Sequence, residues 1–377
     1  MLEQNLVERV LNEALKSGGE FAEVFVEDKR SSSALFDDAK VEELTSGRDR
    51  GAGIRVVAGE TTGFAHTADL SEEGLMIAAR AAASATRTDG AGSQINALEQ
   101  VVCPSPNKVE TFPELVAKGK KVNLLIQADE VARSQGAAIT QVSARYGDSR
   151  RKILVANSDG VFATDDQVRS LFSISCVATG DSGMQTGRES IGRPIGFELF
   201  DDVDVEELAE RAAHRALTKL NARPAPSGTM PVVIGSGGGG VLFHEACGHG
   251  LEADLVNKQA SVFAGKVGES VASELVTLID DGTMSHEWGA FAIDDEGRPA
   301  QRNVLIKDGV LVDYMWDGLR SRNEGRLSSG NGRRQSYHVL PMVRMTNTYI
   351  ANGETDPQDI IEDTSTGVYV AQLGGGQ

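Results

Sequence analysis

Two histidines and a glutamate stand close together in residues 237–254, GGGGVLFHEACGHGLEAD. Imidazole is a common zinc ligand, and a carboxylate beside a zinc-bound water is the usual general base of metal-assisted peptide hydrolysis. His244, Glu245 and His249 are therefore candidates for a metal site and its base. Their spacing is HExxxH, one residue longer than the familiar HExxH. In HExxH the ligands at i and i+4 differ by only about 40° around an α-helix. At i and i+5 they lie about 140° apart and about 7.5 Å along the axis, so a regular helix cannot close both on one ion. Two irregularities would restore the site. A π-turn returns i and i+5 to nearly one face. Alternatively the backbone leaves the helix at Gly248, just before His249. Glu245 falls angularly between the two histidines, which suits a base next to a shared metal. The glycine run ahead of the motif lets another backbone, such as an extended peptide, approach closely.

Other reactive side chains carry weaker signals. Arg320, Arg322, Arg326, Arg333, Arg334 and Arg344 make a local basic concentration in an acidic chain. They read either as ion-paired loop residues or, for one or two of them, as binders of peptide carboxylates or carbonyls through the guanidinium fork. His66, His214 and His338 read as surface or structural residues, and Cys247 as a small packing residue. His286, next to Glu287, is left open.

The elements that must hold these residues follow from periodicity and turn chemistry. The N-terminus has an amphipathic helix pattern through Leu2, Leu6, Val10, Leu11 and Ala14 or Leu15, stopping at Gly18-Gly19. FAEVFVEDK alternates as a half-buried strand, and GET at 59–61 marks a hairpin. Ser71 is placed to cap a helix whose first turn holds Glu72 and Glu73. Residues 1–88 thus make an α+β domain, a helix-flanked antiparallel sheet. Residues 88–113 read as a linker. The central α+β domain, 113–222, opens with one long helix from Pro113, continues through strands turned at NSDG 157–160, and closes with a helix. RPAPSG at 223–228 separates it from residues 229–377. This last part starts with a buried-strand pattern, MPVVIGS, and reads as a Gly-rich, mainly antiparallel β domain with a hairpin at Asp308-Gly309. The fold class is α+β.

Composition excludes several classes. The chain has 377 residues and a net charge of −18, which argues against direct nucleic-acid contact and against adhesion to anionic lipid. No signal-peptide pattern and no run of about 18 apolar residues is present, so neither export nor a membrane span is expected. Three cysteines, few and odd in number, suit a reducing cytoplasm.

The string HEACGHGLEAD resembles the HExxxHxxxxD signature of the TldD/PmbA family of metallopeptidases, also called the modulator of DNA gyrase family, in its TldD-like branch. NVLIKDGVLVDYMWD, SSGNGRRQSYHVLPMVRMTNTYI and STGVYVAQLGGGQ look like later blocks of that family in order, so the resemblance covers essentially the whole chain. It implies a cytoplasmic zinc peptidase acting on small unfolded peptides, as a homodimer or as a heterodimer with a PmbA/TldE-like subunit. His244 and His249 would be the zinc ligands and Glu245 the base, with Arg333 and Arg334 of GNGRRQSY on the substrate side. In the family the third ligand is a cysteine beyond the Gly-Gly-Gly-Gln block. The sequence stops at Gln377 and none of Cys103, Cys176 or Cys247 matches that position. Since a catalytic zinc has three protein ligands plus water, the resemblance leads us to expect a truncated member that holds metal weakly. His286, Glu252 or a partner residue are the substitutes on offer. Two alternatives stand beside the peptidase. One is a truncated, metal-poor member that binds peptide or a partner subunit without turnover; the other is a protein that regulates a DNA-acting enzyme without touching DNA.

Overall fold

The computed structural model describes residues 1–86, 92–181 and 183–373. The beginning of the linker expected at 88–113 lies outside these residues. Strands β1 (Phe21–Asp37), β2 (Lys40–Ala58) and β3 (Thr61–Thr67) form an antiparallel meander. After β4 (Glu99–Val101) come β5 (Ile139–Asn157), β6 (Val161–Gly180) and β7 (Gly183–Arg193). Among the described residues all seven make one sheet, in the order β3-β2-β1-β5-β6, with β4 and β7 both on β6. The first two sequence units therefore share a sheet. β1 would be an open edge within residues 1–88, and its pairing with β5, from Glu23↔Asn157 to Asp37↔Ser143, closes that edge.

The turns and caps follow the local chemistry read from the sequence. Gly59 takes φ +56° in the β2–β3 hairpin. Asn157 Oδ1 accepts from the N–H groups of Asp159 and Val161 in the β5–β6 turn. Asp308 and Gly309 both have positive φ. Helices α1 (Gln4–Leu15) and α2 (Glu72–Ser84) cover one end of the long sheet, and the Ser71 hydroxyl caps α2 by accepting from Gly74 N–H at 3.2 Å. Helix α3 (Lys118–Ser134), the single turn α4 (Leu199–Asp202) and helix α5 (Val205–Leu220) cover the other end. Along β1, Ala22, Val24 and Val26 join the core under α1 and α2, while Ala34 and Phe36 join the core under α3 and α5.

Three local expectations are corrected. The long helix expected from Pro113 is interrupted: a 3₁₀ turn, Pro113–Leu115, is followed by extended Val116 and Ala117, and α3 starts only at Lys118. FAEVFVE is not half-buried, because residues 21–27 are buried on both faces. Nor is MPVVIGS a buried strand: its β8 (Val232–Ile234) leaves Val232 exposed.

The C-terminal part builds small pieces rather than one large sheet. β9 (Leu278–Asp281), β10 (Arg302–Lys307), β11 (Val310–Leu311) and β14 (Thr348–Ile350) form an antiparallel sheet in the order β11-β10-β9-β14. β12 (Gly332–Arg333) pairs with β13 (Met342–Val343), and β8 pairs in parallel with β15 (Val368–Val370). This part docks on the second face of the large sheet. Phe25, Ile153 and Val155 pack there against Ile293 and Tyr337. Gly51 and Gly53 on β2 leave room for Tyr337: a Cβ on Gly51 would lie 2.2 Å from its ring, and one on Gly53 2.7 Å from its carbonyl oxygen. The same interface buries ion pairs. Arg55 meets Glu23 at 3.0 Å and Glu296 at 2.7 Å, and Arg151 meets Glu27 at 2.5 Å and Asp295 at 2.6 Å. Buried charges of this kind tolerate no loss of a partner, so they fix how the two parts meet.

Candidate metal centre

Helix α6 (Ser236–Phe243) leads directly into the HExxxH motif and contains the glycine run. Glycine costs a helix interior roughly 1 kcal/mol per residue relative to alanine, so packing on β14 rather than propensity holds this helix. A Cβ on Gly240 would meet nothing within 4 Å, which leaves bare backbone facing open space.

The five-residue spacing is absorbed by a π-helical turn, His244–Gly248, closed by a hydrogen bond from His249 N–H to the His244 carbonyl. Of the two irregularities the spacing allows, the structure adopts this one. Gly248 is helical, with φ −55° and ψ −53°, so the chain does not break there. Glycine is needed at 248 for space, since a Cβ would lie 2.2 Å from Met345 Sδ.

The turn brings the candidate residues together. One ligand atom from each of His244, Glu245 and His249 lies within 4.8 Å of the others. The two imidazole rings stand 4.8 Å apart at 88°, and Glu245 Oε2 is 4.0 Å from His249 Nε2. Burial, and then the neighbouring His249, push the His244 imidazole down from its ordinary pKa. That favours the neutral ring, the form that can ligate.

A contact that the sequence did not reveal orients His249. Its Nδ1 lies 3.3 Å from Glu252 Oε2, and the same oxygen accepts from Arg344 Nη1 at 3.1 Å. Glu252 is 1% exposed. Burial pushes its carboxyl up in pKa, while Arg344 and His249 pull it back. A carboxylate on one imidazole nitrogen fixes the tautomer and turns the other nitrogen towards a metal. The i, i+3 spacing from His249 to Glu252 was the available signal, but it carries no role until the turn geometry is known. Glu252 thus stands behind the histidine, not beside it as a substitute ligand.

The other candidates go elsewhere. His286 is exposed, and its backbone N–H donates to Asn107 Oδ1 at 2.7 Å. His66 and His338 face each other across the interface with Nδ1 atoms 3.4 Å apart, and His214 lies beside Thr218 on α5. Cys247 packs against the C-terminal core. Arg320, Arg322 and Arg326 pair with Asp317, Asp159 and Asp313. Arg334, expected on the substrate side, has a side chain that is 0% exposed and bound to Glu23 at 2.5 Å in the interface. Arg333 is half-buried and donates through Nη1 to the Met345 carbonyl at 2.7 Å.

Two imidazoles and a carboxylate form a donor set that fits zinc chemistry, and His249 has its far nitrogen already engaged. Comparisons with known proteins point to metallopeptidases. Residues 22–86, 113–220 and 227–377 match models of the PmbA/TldA metallopeptidase domain 1, central domain and C-terminal domain. The Metalloprotease TldD homolog of Buchnera aphidicola is 37% identical over 365 residues, covering 95% of this chain and 75% of that protein. The Metalloprotease TldD homolog of Haemophilus influenzae is 38% identical over 364 residues, covering 95% and 76%. The crystal structure of TldE from Thermococcus kodakarensis shares the fold, with a TM-score of 0.79 at 24% identity, over 98% of this chain and 83% of that one. No helix among the described residues is long and apolar enough to cross a membrane. Three domain models matched in order, with relatives at this identity over nearly all of the sequence, lead to one conclusion: the chain belongs to the PmbA/TldD metallopeptidase family.

Proposed function

We propose that this chain is a zinc-dependent peptidase acting on small unfolded or extended peptides, with His244 and His249 holding the metal and Glu245 as general base. The observation that carries this reading is the π-turn, which gathers the three side chains despite their five-residue spacing. Zinc bound there supplies Lewis acidity towards water and the scissile carbonyl. Glu245, 45% exposed and beside His249, is free to take the proton of the attacking water and pass it to the leaving amine. Glu252 keeps His249 in one tautomer. The bare backbone at Gly240 lets an extended peptide approach α6 closely, while its main chain pairs along a sheet edge. The family resemblance extends this reading to a two-subunit assembly, a homodimer or a pair with a PmbA/TldE-like chain.

The test is peptide cleavage with added zinc, followed by mass spectrometry, for the wild type and Glu245→Gln. The substitution should lower turnover by about 10²–10⁴-fold while bound zinc is unchanged. Equal cleavage by the two proteins would overturn the mechanism.

A further inference from the structure

We propose that the cleft where Lys29, Arg169 and Arg333 converge, between the large sheet and the C-terminal part, is an oxyanion subsite that receives the C-terminal carboxylate of a peptide. The peptide part of this proposal rests on the peptidase reading above. The cleft has a volume of about 230 Å³. A water occupies roughly 30 Å³ in the liquid, so there is room for a carboxylate and a side chain or several waters.

The charges in the cleft do not cancel. Its acidic members are already engaged: Asp295 binds Arg151 at 2.6 Å, and Asp294 accepts from the N–H groups of Glu296, Arg298 and Gly332. By contrast, Lys29, Arg169 and Arg333 have no carboxylate within ion-pair distance among the described residues. Arg169 donates only to neutral oxygens, the Trp288 carbonyl at 3.3 Å and Gln167 Oε1 at 3.4 Å. Arg333 donates only to the Met345 carbonyl. The Nη2 group of each guanidinium, and the Lys29 ammonium, have no hydrogen-bond acceptor among the described residues. Elsewhere in the C-terminal part, Arg320, Arg322 and Arg326 each find an acid. Burial, and then the like charges of Arg333 and Arg151, push the Arg169 guanidinium down to about 10. An anion in the cleft would relieve that repulsion.

Position links the cleft to the metal centre. Met345 gives its carbonyl to Arg333 and sets its sulfur against Gly248 of the π-turn. Arg333 is thus joined to the π-turn through a single packed residue, Met345. Guanidinium groups with free donor edges suit a planar carboxylate.

The experiment is calorimetric binding to the full chain carrying Glu245→Gln, with three probes: N-acetyl-tetraalanine as free acid, the same peptide as its amide, and inorganic phosphate. We expect the free acid to bind roughly tenfold more tightly than the amide, as for a charge-assisted hydrogen bond gained. Arg169→Gln and, separately, Lys29→Gln should each remove that preference and leave amide binding unchanged. Phosphate should compete with the free acid. Equal binding of acid and amide, or an undiminished acid preference in both variants, would overturn the proposal. So would phosphate binding with no acid preference, which would mark a site for a free anion. None of these readings needs turnover. A chain that binds the acid through Arg169 but cleaves nothing would sink the peptidase reading and keep the subsite. Glu245-dependent cleavage without acid preference would do the reverse.

Discussion

His249 does two jobs with two nitrogens, and only one of them belongs to the motif. Nε2 faces Glu245, while Nδ1 faces the buried Glu252, itself held by Arg344. Removing the carboxylate with Glu252→Ala should free the imidazole to rotate and leave Arg344 unpaired. Zinc affinity, measured by competition with a chelator, is expected to fall about 10–100-fold. An unchanged affinity would show that His249 is oriented by something else. Residue types and spacing made His244, Glu245 and His249 legible as a group. They could not separate a ligand from its support, because that distinction depends on which ring nitrogen points where.

At the scale of elements, the π-turn is the feature on which the site depends. Its sequence signature was the awkward spacing itself, which demanded either a wide turn or a break. Met345, nearly a hundred residues away, packs on the turn and fills the space a side chain at 248 would need. Gly248→Ala is expected to destabilise the protein by about 1–3 kcal/mol through overpacking, with a matching fall in Tm. Adding Met345→Ala should recover part of the loss in the double variant. If Gly248→Ala melts like the wild type, the glycine is there for another reason. Hairpins and caps were readable because their chemistry is local: Asn157, Gly59 and Ser71 act on neighbours within a few residues. The interruption before α3 was not, since Pro113 permits a helix start but does not dictate its length.

For the molecule as a whole, the charged interface between the sheet and the C-terminal part lines the cleft. Asp317 sits within it, 0% exposed and near Glu296. Burial, and then the Glu296 charge, raise its pKa from 3.8 to about 6. Between those two values the folded protein holds a proton that the unfolded chain has released. Although Arg320 pairs with it, Asp317 therefore makes stability fall as pH rises through that window, opposite to a carboxylate of depressed pKa. Relative to Asp317→Asn, the wild type should lose on the order of 1–3 kcal/mol between pH 4 and pH 6, read from denaturant unfolding at each pH. Parallel curves for the two proteins would contradict the raised value.

Sequence alone determined the candidate metal-binding group of HEACGHGLEAD, the need for an irregular turn if its side chains are to meet, the α+β character and most of the turns. These rest on residue identity, on periodicity and on interactions spanning a few positions. Tertiary structure decided what lies on the second face of β1. The alternation of FAEVFVE predicts one wet face, yet Glu23 and Glu27 are buried because Arg55, Arg151 and Arg334 come to meet them from β2, β5 and the C-terminal part. The same assembly paired Arg334 with Glu23 and left Arg169 and Arg333 without acids in a shared cleft. A charge is paired or unpaired according to its neighbours in space, and separations of more than a hundred residues leave no periodic trace in the sequence.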